Sequence, residues 1–167
     1  SETFISDWKE SIVKRFLKKH DLFPKFRKTF IAPERSRRRA LFSGRRTKKG
    51  AIVGFRSARS HNIVSVDGCI ILDNKILDFL PVMKKITTLV CSRNSIVRIH
   101  VSTSENGLDV LITTEKILDL NLRVALTKIA VESSLARLSW NKELIISLKS
   151  PVQILSNCSI IPPEEFF

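Results

Sequence analysis

Residues 35–56 read RSRRRALFSGRRTKKGAIVGFR, and the fold turns on this stretch. Residues 37–42 and 51–56 are two short runs rich in apolar and arginine positions. Between them lies Gly44-Arg45-Arg46-Thr47-Lys48-Lys49-Gly50, glycine-bounded and cationic. Two strand-like runs joined by such a segment predict a β-hairpin with a basic tip. Alternation on the first strand places Arg37 and Arg39 on one face and Arg38 on the other.

Working toward the N-terminus, residues 7–20 predict an amphipathic helix. Trp8, Ile12 and Phe16 recur at i+4, with Val13 and Leu17 beside them. Asp7 and Glu10 have capping-box spacing, and Lys18 and Lys19 suit the C-terminal end of the dipole. Pro24 and Pro33 then keep the chain extended or turning.

Toward the C-terminus, a loop over 57–61 leads into a strand at 62–66. Asp67-Gly68 is a turn signal, and residues 70–72 continue as an apolar strand. Asp73 caps a helical stretch reaching about Cys91, which Pro81 divides or kinks. Residues 96–102 and 108–114 alternate as strands around an Asn106-Gly107 turn. A helix over 118–133 uses Leu122, Leu126 and Ile129. Short strands follow at 136–140, 144–149, 152–155 and 159–161. The sum is an α+β fold, a single domain of mostly antiparallel sheet built from hairpins with about three packed helices.

The chain has 167 residues, 43 % of them apolar, so it can bury a core. No apolar run approaches the ~20 residues that span a bilayer, and the first ten residues carry no signal-peptide pattern. Cytoplasmic location is the expectation. Cys69, Cys91 and Cys158 are an odd and sparse set without a CxxC spacing, which argues against a disulfide framework. Read by themselves, all three are small buried residues. No GxGxxG, phosphate-binding loop or GxSxG is present, and no Asp/Glu pair stands apart from ordinary surface charge.

The net charge is +13, and its placement matters more than its size. Residues 1–60 hold 18 Lys and Arg against 5 Asp and Glu, while residues 61–167 hold 11 against 11. A one-sided field of this kind suits a polyanion. The candidate contacts are Arg35, Arg37, Arg38, Arg39, Arg45, Arg46, Lys48, Lys49, Arg56 and Arg59, with no acid between Glu34 and Asp67. Arginine forks onto phosphate oxygens where lysine acts as a point charge. Because these arginines fall on strands, a membrane-surface helix fits them poorly. Phe55, between Gly54 and Arg56, either stacks on an unpaired base, which favours single-stranded RNA, or packs in the core. His61 either contacts a phosphate or base edge or is an ordinary surface residue.

Three segments together resemble one family. They are residues 35–42 (RSRRRALF), then Val53-Gly54-Phe55-Arg56, then Ser60-His61-Asn62-Ile63-Val64 running on to Asp67-Gly68-Cys69-Ile70-Ile71-Leu72-Asp73. In that order they resemble the central domain of the S-adenosylmethionine-dependent RNA 5-methyluridine (uracil-C5) methyltransferases. The C-terminal Ile161-Pro162-Pro163-Glu164-Glu165-Phe166-Phe167 is similar to the linker into their catalytic domain. The match is strong over 35–73 and weak over 92–157.

The resemblance implies a central RNA-facing domain, residues 1–167, of a larger enzyme. An N-terminal RNA-binding barrel, a cysteine triplet and a C-terminal catalytic domain would lie outside these residues as missing domains of the same chain. Cys69 matches the single cysteine that this domain contributes to a four-iron, four-sulfur cluster in many members. One thiolate does not hold such a cluster, so the fragment itself is expected to carry no cofactor and no catalytic residue, while the parent uses S-adenosylmethionine and the cluster. The resemblance strengthens the RNA-facing reading of Phe55, Arg56 and His61. The expected function is RNA recognition for methyl transfer to uracil in ribosomal or transfer RNA, with RNA as the partner and no membrane. The alternative is a stand-alone, non-enzymatic, ribosome-associated RNA-binding module.

Overall fold

The computed structural model describes residues 2–60 and 62–163. His61 therefore lies outside the described residues, as does most of the linker-like C-terminal motif. The chain divides into two compact units, Ser1–Pro33 and Glu34–Phe167.

The first unit is one helix followed by an irregular segment. Helix α1 spans Glu2–Lys18, starting well before the expected cap. Asp7 and Glu10 therefore sit inside it and form no capping box. Glu10 instead accepts from Lys14 at 2.6 Å and from the Thr29 hydroxyl at 3.1 Å. Those two partners hold its carboxyl below the usual carboxylate range. The apolar stripe is real but uncovered: Phe4, Trp8, Ile12 and Phe16 are all exposed.

The second unit has the expected α+β architecture. Its strands are β1 (Arg39–Thr47), β2 (Gly50–Arg56), β3 (Ile63–Ser65), β4 (Val97–Ser104), β5 (Gly107–Thr113), β6 (Arg137–Trp140) and β7 (Glu143–Ser147). They form one sheet in the order β3-β2-β1-β4-β5-β6-β7. All pairings are antiparallel except β5 with β6, which are parallel and joined through α4 (Leu120–Glu132). A crossover of that length is what a parallel pair requires. A separate two-stranded sheet, β8 (Gln153–Leu155) with β9 (Cys158–Ile160), completes the unit.

Period-two alternation builds the core. Phe42 faces Ile99, Ile99 faces Ile112, and Ile112 faces Trp140 across four successive strands. Ala40, Val101, Val110 and Leu138 form a second such row. Helices α2 (Asn74–Asp78), α3 (Leu80–Val90) and α4 bury Ile76, Met83, Ile86, Val90, Leu126 and Ile129 in the same cluster. The break between α2 and α3 falls where Pro81 predicts it. Proline is accepted in the first turn of α3, and Asp73 caps α2 by accepting from the Lys75 amide at 2.8 Å.

The structure corrects three local expectations. Strand β1 runs through Arg45 and Arg46 to Thr47, so the tip is only Lys48-Lys49. Gly50 then takes φ 142°, a conformation that favours glycine. The second hairpin does the same one residue early: its tip is Glu105-Asn106, and Gly107 opens β5 at φ 135°. Residues 70–72 form no strand. Their carbonyls at Ile70 and Ile71 accept from the amides of Arg35 and Arg37, leaving only an isolated bridge from Arg37 to Leu72.

Candidate nucleic-acid interface

The sheet has an inner face carrying the core and an outer face that the same alternation fills differently. Side chains directly opposite each other on paired strands share a face. The outer rows are therefore Arg45 with Ile52; Gly54, Ser43, Arg98 and Thr113; Leu41, His100, Leu111, Ser139 and Leu144; and Arg39, Ser102, Asp109, Arg137 and Ser147. Part of this face is occupied by the C-terminal segment. Gln153 donates to the Ser102 hydroxyl at 2.9 Å, and Arg137 donates to the Pro162 carbonyl at 3.0 Å. Asn106 donates to the Ser150 carbonyl at 2.9 Å. Beneath this segment, Asp109 and Arg137 form a bidentate pair at 2.9 and 2.7 Å, each 9 % exposed. Away from Ser102, the half of the face on β2, β1 and β4 stays open and carries exposed Arg39, Leu41 and Arg98 and half-buried Arg45.

The ten basic candidates are not one cluster. Arg35 donates to the Cys69 carbonyl, and Arg37 donates through Nε to the Arg39 carbonyl at 3.3 Å. Arg38 bonds the Thr103 hydroxyl and the Glu105 carboxylate, each at 3.2 Å. These three side chains are tied into the fold, and the charge of Arg38 is offset by an acid 67 residues away in sequence. Arg45, Arg46, Lys48 and Lys49 gather at one end of the β1–β2 hairpin, on opposite faces and at the tip. Arg56 and Arg59 lie toward its other end, with Arg59 at φ 54°. Among the described residues, Arg45, Arg46, Lys48, Lys49, Arg59 and Arg98 have no ion-pair partner.

Phe55 packs against the core rather than projecting from the sheet. Its ring stacks on Phe42 with centroids 5.3 Å apart and planes 6° apart, and Phe42 is fully buried. The spacing from Val53 carries that outcome, since residues two apart on a strand share a face.

Arg98 is the residue that sequence reading missed. It lies opposite Ser43, between the rows that carry Arg39 and Arg45, and it is exposed. Its own strand offered a signal, because Arg98 and His100 alternate with buried Val97, Ile99 and Val101.

Cys69 is half-buried just after the Asp67-Gly68 turn, with its amide donating to the Val66 carbonyl at 2.9 Å. Asp67 accepts from Ser65 at 2.6 Å and pairs with Lys84 at 3.5 Å, which keeps its carboxyl below the usual range. Among the described residues no three His, Cys, Asp or Glu side chains gather as a metal site. These residues alone therefore do not fit an iron–sulfur cluster, which takes four thiolates. Cys91 is buried at the end of α3, and burial pushes its thiol up. Cys158, expected inside, is exposed on β9, because a two-stranded ribbon leaves its residues without a second layer. No described helix is long and apolar enough to cross a membrane.

No family model matches the chain. It is 30 % identical over 167 residues, its whole length, to an uncharacterized RNA methyltransferase of Rhizobium meliloti. It is 28 % identical over 95 % of its length to one of Brucella suis, and 29 % identical over 95 % to one of Caulobacter vibrioides. The chain spans about two fifths of these relatives: 40 %, 39 % and 40 % of their respective lengths.

Proposed function

We propose that this chain is the RNA-holding part of an RNA methyltransferase that acts on carbon 5 of uracil in ribosomal or transfer RNA. The observation that carries the reading is the similarity, over this chain's whole length and two fifths of the relative's, to an uncharacterized RNA methyltransferase, joined to a sheet face on which Arg39 and Arg98 are exposed and Arg45 is half-buried. Arginine on a fixed strand matches the fork geometry of a phosphodiester. Methylating a base requires it to be unstacked and presented to a pocket, and gripping the flanking backbone supports that step. The methyl donor is S-adenosylmethionine. Cys69 supplies one thiolate of a four-iron cluster whose other ligands come from outside the described residues.

The test is deletion of the gene that encodes this chain, with nucleoside mass spectrometry of ribosomal and transfer RNA. Loss of 5-methyluridine at a single site, restored by complementation, is the expected result. Loss of a different methylated nucleoside would remove the uracil-C5 assignment and leave RNA methylation. An unchanged modification profile would remove both.

A further inference from the structure

The outer face of the sheet has a chemistry that selects among forms of RNA. Among the described residues of the Glu34–Phe167 unit, the phenylalanine and tryptophan rings are Phe42, Phe55, Phe79 and Trp140, and the one imidazole, His100, lies half-buried in the outer row beside Leu41. Phe42, Phe79 and Trp140 are buried, and Phe55 is stacked on Phe42 on the core side. What the open half of the outer face does present is the guanidinium groups of Arg39, Arg45 and Arg98 and the aliphatic Leu41.

The spacing is fixed by the sheet. Arg45 and Arg98 are one strand and one residue pair apart, about 8 Å between Cα atoms by standard sheet dimensions. Arg39 and Arg45 are six residues apart on one strand, about 20 Å. Three cations thus lie over a length that covers several backbone steps of a nucleic-acid helix.

Single-strand binding ordinarily combines a cationic groove with rings on which successive bases stack. That stacking offsets the ordering of a flexible strand. Here the phenylalanine and tryptophan rings lie on the core side and the outer face carries one half-buried imidazole, so an unpaired strand laid on it would find no run of rings for successive bases. A paired stem arrives already ordered, with phosphates at fixed intervals and bases satisfied within the helix. Recognition of double-stranded RNA by shape and backbone contacts is the mode that needs no aromatic platform.

We infer that the open half of the outer sheet face, marked by Arg39, Arg45 and Arg98, holds the backbone of a paired RNA stem rather than an unpaired strand. The inference rests on the proposed RNA-binding function and refines which RNA this face takes. It also revises the single-strand preference that Phe55 suggested in the sequence.

The experiment measures binding of the 167-residue chain to two RNAs of equal nucleotide number, a hairpin stem of about 16 base pairs and an unstructured strand. Each is titrated with salt, for the parent protein and for the double variant Arg45→Ala with Arg98→Ala. Each phosphate-contacting cation removed lowers the log–log salt slope by about one. The expected result is a slope on the stem reduced by about two, with stem affinity falling at least tenfold and single-strand affinity changing less than twofold. Circular dichroism of the variant confirms that the fold persists. If the variant loses single-strand binding as much as stem binding, or more, the inference is overturned while RNA binding stands. If the variant binds both RNAs like the parent, this face holds no RNA and the inference is again overturned. If the parent protein binds neither RNA, the proposed function itself fails.

Discussion

Replacing Arg137 by Met should destabilise the protein by about 3–5 kcal/mol, because it strips the partner from a buried carboxylate. Arg137 donates through Nε and Nη2 to the two oxygens of Asp109, and Nη2 also donates to the Pro162 carbonyl at 3.0 Å. The two side chains are only 10 % and 12 % exposed, so solvent does little to screen the loss. Methionine keeps much of the volume and apolar stem, so the cost is electrostatic and not a cavity. Asp109 would lose its two charge-assisted bonds, and the Pro162 carbonyl would lose this donor. For a unit of this size the fall in Tm is about 10–20 °C. The pair faces across the parallel β5–β6 ladder, whose two strands are joined through α4 and not by a hairpin turn of their own.

Thermal and urea melts followed by circular dichroism read the effect. A double-mutant cycle separates the pair from its surroundings. Asp109→Leu together with Arg137→Met replaces both charges by apolar groups and should recover most of the loss, since buried pairs often exchange neutrally for packed hydrophobes. A single variant costing less than about 1 kcal/mol, or a double variant no better than Arg137→Met, would refute the assignment of this pair as a desolvated ionic contact.

Three further outcomes are expected. Gly54→Ala should cost about 1–3 kcal/mol and raise amide exchange at residues 63–65, because a Cβ there would lie 1.9 Å from the Val64 carbonyl oxygen and β3 must move; unchanged protection at those amides would contradict it. Phe55→Leu should lower stability by about 1–2 kcal/mol through loss of the stack on Phe42 while leaving RNA affinity of the folded protein unchanged; affinity loss at full folding would restore the base-stacking reading. A thiol reagent under native conditions should modify exposed Cys158 first, half-buried Cys69 next and buried Cys91 last, the last also disfavoured by its raised thiol pKa. Mass mapping of the modified cysteines checks the order.

The inner face was legible because the chain writes it in period two. Phe42, Val53, Ile99, Val110 and Leu138 each sit in an alternating run, and all lie in one cluster. The hairpins were legible too, though the glycine-bounded loop over 44–50 shrinks to Lys48-Lys49 and the Asn106-Gly107 turn moves to Glu105-Asn106, with Gly50 and Gly107 each opening the following strand. What the sequence hid depends on strand order. Strands β1 and β4 are neighbours although about fifty residues separate them. Only that adjacency sets Glu105 against Arg38 and Arg98 between Arg39 and Arg45. A linear run of arginines therefore looked like one grip, when three of its members are hydrogen-bonded to neighbouring groups at the surface and Arg98 of β4 completes the open face. Phe55 was ambiguous only while its basic neighbours outweighed its i+2 relation to Val53.

The position of the arginines in the sheet bears on how well they suit the proposed task. Arg98 is paired on both sides, with β1 and β5, while Arg39 is paired with β4 and Arg45 with β2. Arg39, Arg45 and Arg98 therefore spring from backbone that is already fixed, and only their side chains are ordered on binding. Lys48 and Lys49 spring from a two-residue tip held at one end of the hairpin, and more of the chain must be ordered to use them. Cost of that kind subtracts directly from affinity, so equal charge at the two places does not mean equal contribution. The covered half of the outer face serves the same end. The C-terminal segment lies over Asp109 and Arg137, where a buried pair carries no net charge, reaches β4 at Ser102, and leaves Arg39, Leu41 and Arg98 exposed. The charge exposed on this face thus sits on strands whose geometry the core on the opposite face already sets, which is the condition for a surface that reads the regular spacing of a paired backbone.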